Sequence, residues 1–209
     1  MNNHKFDEKH FRVAIFGSAR TEENNPTYKL VFDLAKMIAK EEIDVITGGG
    51  PGLMQAANKG HHEGRTNNSV HSIGLTIVLP MEQEESRHLD IKKDFSRFSK
   101  RLDNFMTLSN AVVVAPGGIG TMLEFLYTWQ LVQVNHICEI PIILLGEMWV
   151  DLIKWVQEKP LKKKLLSKED LRNIFVVKSN LEAMKIIKGA KEAFDKGKGH
   201  VCTNLEKYK

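Results

Sequence analysis

Three clusters of glycine follow runs of apolar residues: Gly17-Ser18, Gly48-Gly49-Gly50-Pro51-Gly52 and Gly117-Gly118-Ile119-Gly120. Glycine lets the main chain approach a ligand closely and adopt positive φ. Where such a turn feeds a helix, the unpaired N–H groups and partial positive charge of the first helical turn favour an anion. The second and third clusters each lead directly into a helix-patterned stretch, and together the three make a cradle for phosphate. One such turn would read equally well as a tight turn after a strand; three in one sheet favour an anion site. The dinucleotide fingerprint G-x-G-x-x-G and the P-loop G-x-x-x-x-G-K-[ST] are both absent, which disfavours NAD-linked redox chemistry and ATP hydrolysis.

Two charged residues stand close to these turns. Thr121-Met122-Leu123-Glu124 has the spacing of a capping box, in which Glu124 would only satisfy backbone N–H groups at a helix start. The same spacing sets its carboxylate beside the proposed phosphate turn, so cap and catalyst are both open. Phe98, Arg101, Leu102 and Phe105 fall on one face of an expected helix, placing a guanidinium inside an apolar stripe. Either Arg101 snorkels to solvent, or it looks into the ligand crevice and meets Glu124 or a phosphate there.

These residues need a scaffold, and the hydrophobic pattern describes one. Apolar runs at 11–16, 43–47, 72–79, 111–115, 140–145 and 174–177 read as strands. Helices are expected after an Asn25 cap with Pro26 in the first turn, at 53–62, at 96–109, from 120 to about 134, at 149–157 and at 181–193. The segment 82–90 reads as an acidic surface loop. Residues 111–115, AVVVA, are apolar throughout, as a strand buried on both faces should be. The alternation predicts an α/β fold: a Rossmann-like open parallel sheet with helices on both faces, in a single domain over 1–209. Its core would span 11–178, followed by a C-terminal helix and basic tail over 179–209. In such a sheet, ligands bind at the carboxyl ends of the strands, where the glycine turns fall.

Composition narrows the function classes. The chain has 209 residues, 42% hydrophobic and 27% charged, ordinary values for a soluble globular protein with a substantial core. Its net charge of +4 is thinly spread. The lysines at 162–164 and from 185 onward read as a solvated face and tail rather than a polyanion patch, so nucleic acid is not an expected partner. Cys138 and Cys202 have neither metal-ligand spacing nor a disulfide framework. His61 and His62 are adjacent and would diverge on a helix. No metal and no organic cofactor is expected. MNNHKFDEKH lacks the apolar core of a secretory signal, and no apolar run is long enough to cross a bilayer, so the expected location is cytoplasmic.

PGGIGTMLE at 116–124 and TGGGPGLMQAANKG at 47–60, supported by FGSAR at 16–20 and IGLTIVLPMEQ at 73–83, resemble the LOG (Lonely Guy) family of phosphoribohydrolases. Members of that family often carry the label lysine decarboxylase. The resemblance runs from about Arg12 to Trp155. It implies hydrolysis of the N-glycosidic bond of a nucleoside 5′-monophosphate (AMP-like), giving free base and ribose 5-phosphate. By motif, the catalytic pair falls on Arg101 and Glu124. The phosphate- and substrate-binding set falls on Gly17, Ser18, Gly48, Gly49, Gly50, Gly52, Met54, Gly117, Gly118, Ile119, Gly120 and Thr121. Glu82 matches an acid near the ribose or base. The resemblance also implies a homodimer or higher homo-oligomer, with the crevice near the subunit interface.

Several positions depart from the family pattern. Lys100-Arg101-Leu102-Asp103-Asn104-Phe105 stands where Arg-Lys followed by Met is usual, a form more similar to the broader bacterial nucleotide nucleosidases than to the cytokinin-activating branch. Leu123 replaces a second acid, Gln130 a Thr, and Ser86 an Asn. The chemistry implied is consistent: departure of the base leaves positive charge on the ribose, which a carboxylate stabilises while positioning water. A helix end and an Arg neighbour are expected to keep Glu124 ionised. The rival is a non-catalytic nucleotide-binding or carrier protein of the same fold. A pyridoxal-dependent decarboxylase would need a Schiff-base lysine in the crevice, where the pattern places none.

Overall fold

The computed structural model describes residues 10–78 and 86–197. Its strands are β1 (Arg12–Phe16), β2 (Asp44–Thr47), β3 (Ser72–Ile77), β4 (Ile91–Phe95), β5 (Ala111–Val114), β6 (Ile142–Leu145) and β7 (Ile174–Val177). They form one seven-stranded sheet in the order β4-β3-β2-β1-β5-β6-β7. Every pairing is parallel. The helices are α1 (Pro26–Lys40), α2 (Leu53–Gly64), α3 (Phe98–Leu108), α4 (Ile119–Gln133), α5 (Met148–Val156) and α6 (Asn180–Asp195). The fold is the Rossmann-like α/β sheet expected.

Right-handed crossovers decide which face each helix covers. From β1 the chain builds outward to β4, then returns to the other side of β1 and builds outward to β7. Reversing direction moves the connecting helices to the opposite face. One core therefore joins Val13, Ile15, Val45 and Val113 to Leu34 of α1, Ala56 of α2 and Met184 of α6. The other joins Ala14, Phe16, Ile46 and Val112 to Phe105 of α3, Phe125 of α4 and Trp149 of α5. Alternate strand residues feed the two layers, so both faces of the central strands had to be apolar.

Local chemistry agrees at most element ends. Asn25 caps α1 as expected, its Oδ1 accepting from the Thr27 N–H at 2.8 Å. The structure differs at β4, which lay unrecognised beside the expected acidic loop. Its sequence, IKKDF, exposes the three central residues because it pairs on one side only, at the sheet edge. The strand at 142–145 is consequently the sixth rather than the fifth. β3 stops at Ile77, and Val78 is exposed. Cys138 is disulfide-bonded, a role the sequence reading did not give it; Cys202 lies outside the described residues. No helix among the described residues is long and apolar enough to cross a membrane.

α1 and α2 pack unusually closely, and two glycines one helical turn apart explain it. A Cβ on Gly60 would overlap the Phe32 carbonyl oxygen, and one on Gly64 would stand 2.8 Å from the Lys36 Cα. We expect Gly60→Ala to destabilise the protein by about 1–3 kcal/mol, because rigid backbone must move apart. Gly189→Ala, in α6 with open space around the new methyl, should instead stabilise by about 0.5–1 kcal/mol. Thermal or denaturant unfolding of the two variants measures both; a harmless Gly60→Ala would contradict the close-packing account.

Candidate active site at the carboxyl rim of the sheet

β1 lies between β2 and β5, so the turns following these three strands are neighbours at one end of the sheet. Ser18 ties them together: its N–H donates to Pro116 O at 3.1 Å, and its carbonyl accepts from the Leu53 N–H at 2.9 Å. Beside this knot opens a cavity of about 520 Å³. Of the predicted residues, Gly17, Ser18, Gly48, Gly50, Met54, Arg101, Gly118, Ile119, Gly120, Thr121 and Glu124 line it. Gly49, Gly52 and Gly117 sit behind the wall. Gly49 (φ +71) and Gly52 (φ +66) need the left-handed conformation; a side chain there would press on Thr76 and on the Ser18–Ala19 backbone, respectively. Gly117 leaves room for the Thr121 side chain. Glu82 lies outside the described residues.

The two helices entering from these turns begin without side-chain caps. Gly52 precedes α2 and Gly118 precedes α4, and neither offers an oxygen to the first amides. α1 and α6 are capped by Asn25 and Ser179, whereas α3 and α5 also start without a side-chain cap, so it is the placement of the α4 start on the cavity that matters. Open amides at α4 and a positive helix end face the cavity lining at Gly118–Thr121, which suits a dianionic phosphate.

Arg101 and Glu124 meet here. α3 and α4 lie side by side, joined by the Tyr127 hydroxyl donating to Asp103 Oδ1 at 2.6 Å. Arg101 Nη2 donates to Glu124 Oε1. Both side chains are nearly closed off from solvent, at 11% and 13% exposed. The guanidinium lies 5.4 Å from the Phe105 ring centroid and rests beside Gly48, where a side chain would collide with Met54 Sδ and touch the guanidinium. Snorkelling is thereby set aside. The buried Arg101 Nε has no hydrogen-bond partner among the described residues. The capping-box reading also falls: α4 starts at Ile119, so Glu124 is in its second turn and serves no cap.

The Glu124 carboxyl is pushed up to about 6, because burial outweighs the neighbouring Arg101 charge and its hydrogen bond. The arginine does lower it, as expected, but the walls that shield the pair remove more solvation than one cation restores. The sign follows. Relative to the unfolded chain, Glu124 stabilises the fold below pH 4.5, and that contribution is lost as pH rises through about 6. At about 1.4 kcal/mol per pKa unit, ionising it inside the fold costs about 2 kcal/mol.

Some contributors were not singled out from sequence. Arg20 and Phe98 line the cavity, Phe98 with its ring half exposed. Asn58, fully buried in α2, accepts from Thr47 Oγ1 and Ser72 Oγ, each at 3.0 Å, while Thr47 Oγ1 accepts the Gly49 N–H at 3.0 Å. This network sets the shape of the second glycine turn. A polar residue on the buried face of a helix is the signal that could have found it.

The chain is also similar to known proteins. A family described as "Possible lysine decarboxylase" matches residues 54–187. The chain is 29% identical over 144 residues to the "Pyrimidine/purine nucleotide 5'-monophosphate nucleosidase" of Escherichia coli (strain K12), covering 64% of this chain and 30% of that protein. It is 28% identical over 136 residues to the "Probable cytokinin riboside 5'-monophosphate phosphoribohydrolase LOGL3" of Oryza sativa subsp. japonica, covering 62% of each. The chain thus spans less than two thirds of these relatives' lengths. In fold, it is similar to the molybdenum cofactor carrier protein of Chlamydomonas reinhardtii (TM-score 0.63, 23% identity, 88% of this chain and 99% of that one). The molybdenum cofactor binding protein of Rippkaea orientalis is similar in the same sense (TM-score 0.62, 21% identity, 86% and 96%). Since the matched segment runs from α2 into α6 and takes in both members of the Arg101–Glu124 pair, the chain belongs to the LOG family, the group described as possible lysine decarboxylases.

Proposed function

We propose that this protein hydrolyses the N-glycosidic bond of nucleoside 5′-monophosphates, releasing the base and ribose 5-phosphate. The observation that carries the reading is the Arg101–Glu124 pair, closed off from solvent in a cavity that also receives the uncapped start of α4. The relatives named as monophosphate nucleosidases and phosphoribohydrolases support it. The 5′-phosphate would sit on the amides of Gly118–Thr121, with the Gly48–Gly50 turn opposite. That placement holds the ribose over Glu124. Phe98, at the cavity mouth, offers a ring for the base to stack on.

The C1′–N bond breaks with its electron pair leaving on the base, and positive charge grows on the ribose. Ionised Glu124 stabilises that charge and takes a proton from the attacking water, whose oxygen bonds to C1′. The base leaves with one proton gained, completing the addition of water. Arg101 holds the carboxylate in place and keeps part of its charge. Glu124 is the one carboxylate among the described residues that line the cavity. A pyridoxal-dependent decarboxylation does not fit: none of those lining residues is a lysine.

The same reading includes a cytoplasmic nucleotide pool as substrate source and a homodimer with the cavity beside the interface. Ile119, Leu123, Leu126 and Val134 of α4 and its end stand exposed in one stripe starting at the cavity mouth. A second copy laid on this stripe would remove that apolar surface from water.

Incubating the protein with a panel of nucleoside monophosphates and assaying free base tests the activity. Glu124→Gln should reduce kcat by about 10³ or more while leaving the fold intact; bound nucleotide without released base in the unaltered protein would remove the proposal. Turnover needs the carboxylate, so kcat/KM should rise with pH through about 6, not 4.5. In Arg101→Met, the lowering influence of the cation is gone and that limb should move to higher pH; an unmoved limb would detach the pair from catalysis. Leu126→Glu, outside the cavity lining, should convert a dimer to monomer in sedimentation, and an unaltered mass would exclude the α4 stripe as the interface.

A further inference from the structure

Glu124 and the glycine turns occupy one end of the sheet; a different group of ligand-type side chains gathers at the other. Arg12 pairs with Asp44 across β1 and β2, and Val45 pairs with Ser72 across β2 and β3. Parallel register therefore brings Asp44 and His71 side by side, and His10, two residues before Arg12, returns to the same face. His10 Nδ1 lies 3.3 Å from Asp44 Oδ2, and His71 Nδ1 lies 3.8 Å from Asp44 Oδ1. The three ligand atoms fall within 4.8 Å of one another, the one such grouping of three among the described residues.

We propose that His10, Asp44 and His71 bind a divalent transition-metal ion of the zinc class. Two imidazoles and a carboxylate are the donors such ions prefer. Ligand atoms about 2.0–2.1 Å from a tetrahedral ion stand roughly 3.3 Å apart; the two histidine–aspartate separations of 3.3 and 3.8 Å are near that, and small side-chain rotations would close the rest. The Asp44 carboxylate is buried and held in orientation, its Oδ1 accepting the His71 backbone N–H at 2.8 Å. That is the kind of supporting bond that positions metal ligands. The two histidines are about one-third exposed, so the ion can enter and its remaining position opens to water. Arg12 Nε, 3.6 Å from Asp44 Oδ2, adds opposing positive charge. Affinity is accordingly below that of closed four-ligand structural sites. The site clips the entry to β1 onto β2 and β3, so occupancy stabilises the fold without entering the reaction.

The test is equilibrium dialysis of the EDTA-treated full chain against Zn²⁺, with Co²⁺ absorption and thermal melting alongside. We expect one equivalent taken up, visible bands of a low-symmetry Co²⁺ site, and a melting temperature raised by Zn²⁺. His10→Gln and His71→Gln, both partly exposed and tolerable to the fold, should each weaken uptake by at least about tenfold and abolish the melting shift. His62→Gln serves as control, since His62 stacks with His88 in the other imidazole pair, and should leave uptake unchanged. No stoichiometric uptake by the unaltered chain, or uptake that survives both His10→Gln and His71→Gln, overturns the proposal.

Discussion

Two main-chain hydrogen bonds made by Ser18 hold the three glycine turns to one another, and the site depends on them. Its N–H reaches Pro116 at the end of β5, and its carbonyl takes the first amide of α2. Neither bond would exist unless β1 lay directly between β2 and β5. That position is a consequence of the sheet's reversal in building direction, the topology that opens a crevice at the strands' carboxyl ends. The glycines behind the wall give the turns the space and the φ values that this junction requires. The glycines on the wall leave amides within reach of a ligand.

The Arg101–Glu124 pair shows what such a site costs. Burial strips water from both charges, and the carboxylate rises to about 6 despite its arginine. A fold under no other demand would gain by replacing the pair with apolar side chains. Its place between a glycine turn and a helix start suits the proposed role of Glu124: shielding that strengthens its field, a cation that keeps it charged near neutrality, and walls that fix its direction. The Thr47–Asn58–Ser72 network plays a comparable part for the second turn, spending buried hydrogen bonds to fix a backbone shape.

Much of the fold was legible because its signals are local. Fully apolar runs such as 111–115 mark central strands, Asn25-Pro26 marks a helix start, and glycine clusters mark the strand ends. β4 was not legible. An edge strand buries one side and can carry Lys92, Lys93 and Asp94 without penalty, so its pattern resembles a loop. The capping-box reading of Glu124 failed for a related reason: Thr121 and Glu124 have the right spacing, but the helix already begins at Ile119.

The sequence by itself determined the parallel α/β architecture and the three glycine turns at the strand ends, and it singled out the arginine and the acid near them. Each follows from residue type and short-range spacing. Tertiary structure alone decided that Arg101 reaches Glu124 rather than solvent, and that burial raises the carboxyl by more than the arginine lowers it. It also decided that His10, Asp44 and His71, scattered over sixty residues, share one corner of the sheet. Direction, solvation and long-range proximity depend on strand order and packing, which no local pattern encodes.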